Sequence, residues 1–170
     1  EYFGTHAHAL AIARLRPDGR RLILLGTGTD EVLAVSPDGN RVHWRANVGG
    51  EVHHLAPCDF DADGFPEIVA ATGSGYLTLL DHDGRRAWWL DIGSPLTALA
   101  VVDFQPLATP LIAVGTRDGR IVLFDRHANR VALARGHHPV DFLFATDPAR
   151  PHLLAASRQG TLSRWTFQPP

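Results

Sequence analysis

A single period governs this 170-residue chain: four apolar runs recur in the same register along it. They are His8-Ala9-Leu10-Ala11-Ile12, His53-His54-Leu55-Ala56-Pro57, Thr97-Ala98-Leu99-Ala100-Val101 and Asp141-Phe142-Leu143-Phe144-Ala145. Leu10, Leu55, Leu99 and Leu143 mark the register, at spacings of 45, 44 and 44 residues. Each copy continues alike. A second run ends in a hydroxyl residue, at Thr27, Thr72, Thr116 and Ser157. A polar turn and a third run follow, and then a tight turn such as Ser36-Pro37-Asp38-Gly39 or Asp81-His82-Asp83-Gly84. Asp-Gly pairs suit turns that need positive φ. A fourth run closes the first three copies, at Val42-His43-Trp44, Ala87-Trp88-Trp89-Leu90 and Val131-Ala132-Leu133.

Runs this short, with turns every 8–12 residues, are strands. No stretch keeps a 3.6-residue period over a dozen residues, so helices are not expected. A four-strand unit of about 40–45 residues is the repeat of a propeller blade. The expectation is one all-β propeller domain or part-propeller, with blades at about 4–49, 50–93, 94–137 and 138–170. The fourth copy ends after its third strand, and Glu1-Tyr2-Phe3 stands where a preceding fourth strand would end. Two alternatives follow. Glu1–Phe3 supplies the missing outer strand and closes a four-bladed ring, or another chain or segment completes the ring. Propellers run from 4 to 8 blades, and the tightness of a four-bladed ring favours completion by a protein partner or a second copy.

Charge and composition exclude some classes. The net charge of −2 supplies no basic field for nucleic acid. No apolar run approaches the ~20 residues of a membrane-spanning helix. Cys58 is the single cysteine, so no internal disulfide forms. The chain holds no methionine and opens on Glu1-Tyr2-Phe3-Gly4, which reads as a processed product or a piece of a longer chain.

The second copy alone carries an acidic loop, Asp59-Phe60-Asp61-Ala62-Asp63-Gly64-Phe65-Pro66-Glu67. Carboxylates at positions 1, 3 and 5, a turn-permitting glycine at 6, a backbone carbonyl at 7 and a carboxylate at 9 make an all-oxygen set suited to Ca²⁺. It is not an EF-hand, because position 12 is Ala70 and strands flank the loop. Aspartate and glycine also build turns without metal, but three alternating carboxylates repel one another without a cation. The run Cys58 to Ala70 resembles the FG-GAP/VCBS propeller repeats, whose calcium loop joins the first two strands of a blade. The resemblance implies Asp59, Asp61, Asp63, Phe65 (through its carbonyl) and Glu67 as ligands of a structural Ca²⁺. It also implies an extracellular, periplasmic or cell-surface setting. Glu67 departs from the aspartate usual at its position. The other three copies lack the loop and read as PQQ-like or WD40-like blades.

The aligned position at each blade entry holds His8, His53, Thr97 and Asp141. First strands line a propeller's channel, so His8, His53 and Asp141 are an axial candidate for a transition metal or an anion. Histidine there also serves simply to bond backbone between blades. Of the tryptophans, Trp44 and Trp89 are expected to pack between blades, and Trp88, of opposite parity, to be more exposed. No phosphate loop, nucleophile elbow or Ser/His/Asp arrangement is present. Two functions remain. One is a non-enzymatic binding or scaffold module for a protein or glycan partner. The other is part of a propeller enzyme (a PQQ-like dehydrogenase, hydrolase or lyase) with the axial His/Asp site.

Overall fold

The computed structural model describes residues 6–15, 18–102, 109–146 and 152–166. Glu1–Phe3, proposed above as a closing strand, lies outside the described residues. So do most of the loops at 103–110 and 147–151 that correspond to the acidic loop.

Fifteen strands form four antiparallel sheets, and no helix occurs among the described residues. Blade 1 comprises β1 (Ala7–Ala13), β2 (Leu22–Thr27), β3 (Glu31–Val35) and β4 (Val42–Asn47). Blade 2 comprises β5 (Val52–Cys58), β6 (Glu67–Thr72), β7 (Tyr76–Leu80) and β8 (Arg86–Asp91). Blade 3 comprises β9 (Leu96–Val102), β10 (Leu111–Thr116), β11 (Arg120–Phe124) and β12 (Arg130–Arg135). Among the described residues blade 4 comprises three strands, β13 (Phe142–Ala145), β14 (His152–Ala156) and β15 (Leu162–Thr166). Each sheet is a meander in which sequential strands pair.

The hydroxyl that ends each second strand explains the repeat's regularity. Buried Thr27 accepts the N–H of Glu31 at 3.0 Å and donates to its carbonyl at 3.0 Å. Thr72 does the same with Tyr76, and Thr116 with Arg120. Each hydroxyl therefore satisfies both backbone groups of the residue that opens the next strand, a pairing that buried backbone requires.

Blades pack in series: β1 lies beside β5, β5 beside β9 and β9 beside β13. No comparable packing of β13 on β1 occurs among the described residues. The core is correspondingly divided into three clusters, one between each pair of successive blades. A forward face of small residues meets a backward face of larger ones. Ala9, Ala11 and Ala13 of blade 1 share a cluster with Val52, Leu55 and Ile68 of blade 2. Ala98 and Ala100 of blade 3 share one with Val140, Leu143 and Leu153 of blade 4. The approach is close enough to demand glycine. A Cβ on Gly26 would come within 2.5 Å of Val52, and one on Gly115 within 2.5 Å of Val140.

Tryptophans stitch the outer rim. Trp44 Nε1 donates to the His82 carbonyl at 3.1 Å, and Trp88 Nε1 to the Arg126 carbonyl at 2.8 Å. In both cases the acceptor lies on the next blade's tight turn. The expectation for the Trp88–Trp89 pair is thus reversed: Trp88 packs, while Trp89 is 51% exposed. The tight turn before β8 is one residue shorter than the one before β4, so Trp88 and not Trp89 is the structural equivalent of Trp44.

Candidate functional site

The acidic loop joins β5 to β6, with Cys58 and Glu67 paired across its base. Phe60 anchors it. Its ring is 2% exposed and packs with Val69, Leu79 and Phe124 between blades 2 and 3. Left-handed backbone at Ala62 (φ 61°) and Gly64 (φ 90°) folds the chain back on itself, a geometry that glycine adopts at no steric cost. Three of the five candidate ligands converge: one oxygen each from Asp59, Asp61 and Glu67 lies within 4.8 Å of the others. Asp63 points into the turn, where its Oδ1 accepts the Phe65 N–H at 2.7 Å. The Phe65 ring leans on His82, with centroids 5.1 Å apart.

The polar accounting of this loop has one gap. Asp59 Oδ2 accepts the Gly64 N–H at 3.0 Å, but its Oδ1 is buried without a hydrogen-bond partner. Glu67 Oε2 accepts the Phe60 N–H at 2.9 Å. Burial pushes the Glu67 carboxyl above its ordinary range, the Phe60 N–H opposes this, and the charges of Asp61 and Asp63 add to it. Sequence reasoning missed Arg126. Its Nη1 stands 3.7 Å from Asp61 Oδ2 and 3.3 Å from the Phe60 carbonyl, across the blade boundary. No local signal marks a cation 65 residues beyond its partner.

The axial candidates divide into two groups. His8 Nδ1 and His53 Nε2 both face Glu51 Oε1, the second at 3.5 Å. Glu51, unremarked in the sequence, is what joins them. The missing side chain of Gly73 makes room for the His53 ring, since a Cβ there would lie 2.5 Å from its Cε1. Asp141 instead binds blade 4's own chain, accepting the Arg158 N–H at 2.7 Å. His53, Thr97 and Asp141 nonetheless line one cavity of about 440 Å³, with Arg117, Arg158 and Gln159. Arg117 and Arg158 follow Thr116 and Ser157 directly, so the aligned repeat held the signal that would have found them. His54 turns the other way and bonds the Thr97 carbonyl at 3.0 Å. Among the described residues, three potential metal ligands converge at the acidic loop and not at this axis.

Solved structures share the fold. The computationally designed Ika4 protein superposes with a TM-score of 0.78 at 17% identity, covering 99% of this chain and 95% of that one. A second match is the structure titled BBS1N in complex with ARL6DN, soaked with lead. It gives a TM-score of 0.58 at 14% identity, covering 96% of this chain and 63% of that one. No curated protein matches the sequence. Among the described residues no helix is long and apolar enough to cross a membrane, which leaves membrane β-barrels unaddressed. Residues 11–134, from β1 into β12, match the lambda-carrageenase β-propeller domain. That span is well over half of the chain, and the protein belongs to this β-propeller family.

Proposed function

We propose that the chain is a non-enzymatic β-propeller module that engages a protein partner through exposed apolar faces of blades 1 and 4, with one Ca²⁺ stiffening the loop of blade 2. The observation that carries the reading is the exposure of large apolar side chains at both ends: Leu10 and Ile12 on blade 1, and Phe142, Phe144 and Leu162 on blade 4. A contiguous apolar surface of this kind marks an interaction site. A rigid frame that presents such surface does the work of a scaffold.

The carboxylates fit calcium by their chemistry. Three converging hard oxygens suit Ca²⁺, and the buried, unpartnered Asp59 Oδ1 is an acceptor in need of a donor or a cation. Asp59, Asp61 and Glu67 would hold the ion, and Arg126 supplies part of the counter-charge at Asp61. Such an ion ties β5 to β6 and takes no part in chemistry.

The interaction reading is tested by introducing Leu10→Cys and Phe144→Cys together in a Cys58→Ser background under dilute oxidising conditions. An open arc forms no disulfide within a chain. A disulfide formed quantitatively within single chains means that the four blades close on themselves and bury both ends, and the reading fails.

The enzyme alternative draws on the cavity that holds His53, Thr97 and Asp141. A Zn²⁺-dependent rise in melting temperature that His53→Ala abolishes would favour it. The scaffold reading expects no such rise.

A further inference from the structure

We propose that the cavity shared by blades 2, 3 and 4 binds a phosphate group that carries a proton, with Arg117 and Arg158 as donors to its oxygens and Asp141 as the acceptor of its proton. This goes beyond the scaffold reading and does not depend on the acidic loop.

Two positions of the repeat meet at this site. One is the blade entry, which holds His8, His53, Thr97 and Asp141. The other directly follows the clamp hydroxyl and holds Gly28, Gly73, Arg117 and Arg158. The two positions trade volume. In blades 1 and 2 an imidazole lies over a glycine: a Cβ on Gly28 would stand 3.4 Å from His8 Nε2, and one on Gly73 2.5 Å from His53 Cε1. In blades 3 and 4 the entry residue is short and the second position carries a guanidinium. Two permanent cations therefore occupy equivalent places on neighbouring blades, and both line the cavity of about 440 Å³.

Both arginines are fixed at the backbone and free at the head. The Arg117 N–H donates to the Pro95 carbonyl at 3.0 Å, and the Arg158 N–H to Asp141 Oδ2 at 2.7 Å. Among the described residues the Arg117 guanidinium has no ion pair or hydrogen bond. Arg158 Nε stands 3.8 Å from Asp141 Oδ1, and the arginine side chain is 81% exposed. A pair this open adds little to stability, so folding does not account for two arginines here. A guanidinium presents a rigid fork of donors that matches phosphate oxygens. His53 and Gln159 line the same cavity and add further donors.

Asp141 selects among anions. Its Oδ2 is taken by the Arg158 N–H, while Oδ1 lies beyond hydrogen-bond distance of Arg158 Nε. Glu51 faces His8 and His53, which leaves Asp141 as the carboxylate among the described lining residues. A carboxylate accepts and does not donate. Sulfate and carboxylate ligands bring no proton to it and meet it as like charge. Inorganic phosphate keeps a proton at neutral pH, and a phosphomonoester keeps its own up to a second pKa of about 6. The pair of forks attracts the anion, and the free Oδ1 admits the one that can donate.

Isothermal titration calorimetry at pH 6, in calcium-free buffer of constant ionic strength, tests this with inorganic phosphate, glycerol 3-phosphate and sulfate. Inorganic phosphate is expected to bind saturably at one site per chain, at least tenfold more tightly than sulfate. A merely basic patch prefers sulfate, which carries the larger charge at this pH, so sulfate binding as tightly as phosphate overturns the proposal. The absence of saturable phosphate binding also overturns it. Arg117→Ala and Arg158→Ala, at exposed positions and with unchanged circular dichroism spectra, should each weaken phosphate about tenfold or more, the loss of a charge-assisted hydrogen bond. Unchanged affinity in both places the binding elsewhere and refutes the site. Asp141→Asn keeps an acceptor for the Arg158 N–H and gains a donor, so it should bind sulfate and lose the preference for phosphate. A phosphate-to-sulfate ratio unaltered in Asp141→Asn overturns the role of Oδ1. Glycerol 3-phosphate distinguishes the sources: affinity equal to inorganic phosphate supports a phosphomonoester, and clearly weaker binding supports the free ion.

Discussion

Phe60→Ala is the substitution that most directly tests how the acidic loop is held. The ring is 2% exposed and sits among Val69, Leu79 and Phe124 at the boundary of blades 2 and 3. Its own backbone N–H donates to Glu67 and its carbonyl accepts from Arg126. Removing the ring loses its transfer free energy and leaves a cavity, together worth about 3–5 kcal/mol for Phe→Ala. Phe60 lies on a loop and not in a strand, so the chain can settle partly into the void, and the lower end applies, about 3 kcal/mol. At about 2–4 °C per kcal/mol for a chain of this length, the melting temperature falls by roughly 6–12 °C. Far-ultraviolet circular dichroism in chelator reads the change, and the same melt with calcium shows whether the loop still gains from the ion. The loop carboxylates depend on Phe60 for their placement, so the calcium-dependent rise should shrink as well. A fall of less than about 3 °C with native ellipticity retained would refute the anchor role, because it corresponds to only about 1 kcal/mol.

Calcium should raise the melting temperature of the unsubstituted chain, and Asp61→Ala should abolish the rise; a melt indifferent to chelator would remove the ion from the account. Thr72→Val deletes the hydroxyl that satisfies both backbone groups of Tyr76, at a cost of about 1–3 kcal/mol for a buried unmet donor. Thr72→Ser restores most of it, and urea denaturation distinguishes the two. His54 is held below its ordinary value of 6.5 by burial, against the raising effect of the Thr97 carbonyl, with His53 adding to the depression. A depressed folded value means that the unfolded chain takes the proton more readily. The His54 contribution is therefore present above about pH 6.5 and lost as pH falls towards the folded value. Thermal melts at about pH 7.5 and pH 5.5 should differ less in His54→Gln than in the unsubstituted chain. An equal difference in both would assign the acid sensitivity to other groups.

The blades were legible because packing between them repeats. The register leucines all lie on backward faces, and Leu55, Leu99 and Leu143 each meet a preceding blade. The same residue type at Leu10 is 65% exposed. A one-dimensional period marks the position but not the neighbour. The hydroxyl clamp was visible as Thr27, Thr72, Thr116 and Ser157 because its partner lies four residues on. The Trp88–Trp89 assignment failed where a turn is one residue shorter: in a strand, a shift of one residue exchanges the two faces. The candidate site was only partly readable for a related reason. Asp59, Asp61 and Glu67 are local to one loop, whereas Arg126 and Glu51 enter from other elements, and no spacing rule joins them to their partners.

A propeller of near-identical blades would fold in any frame, because every forward face would suit every backward face. Departures from the repeat fix this chain's frame and its chemistry. Ala98 and Ala100 permit the close approach of blade 4; phenylalanine at either position would overpack that joint, at a typical cost of 1–3 kcal/mol. At Phe142 and Phe144 the same side chains meet no such neighbour and are free to be large. The forward face of blade 4 thus differs from that of blade 3 in the direction that excludes exchange between them, since phenylalanine cannot replace Ala98 and Ala100 without strain. The acidic loop follows the same logic. It occurs once, in the blade whose neighbour supplies Arg126, so Asp61 meets its counter-charge at a single blade boundary. Identity between the copies builds the frame, and difference between them fixes which faces can meet and where the acidic loop sits.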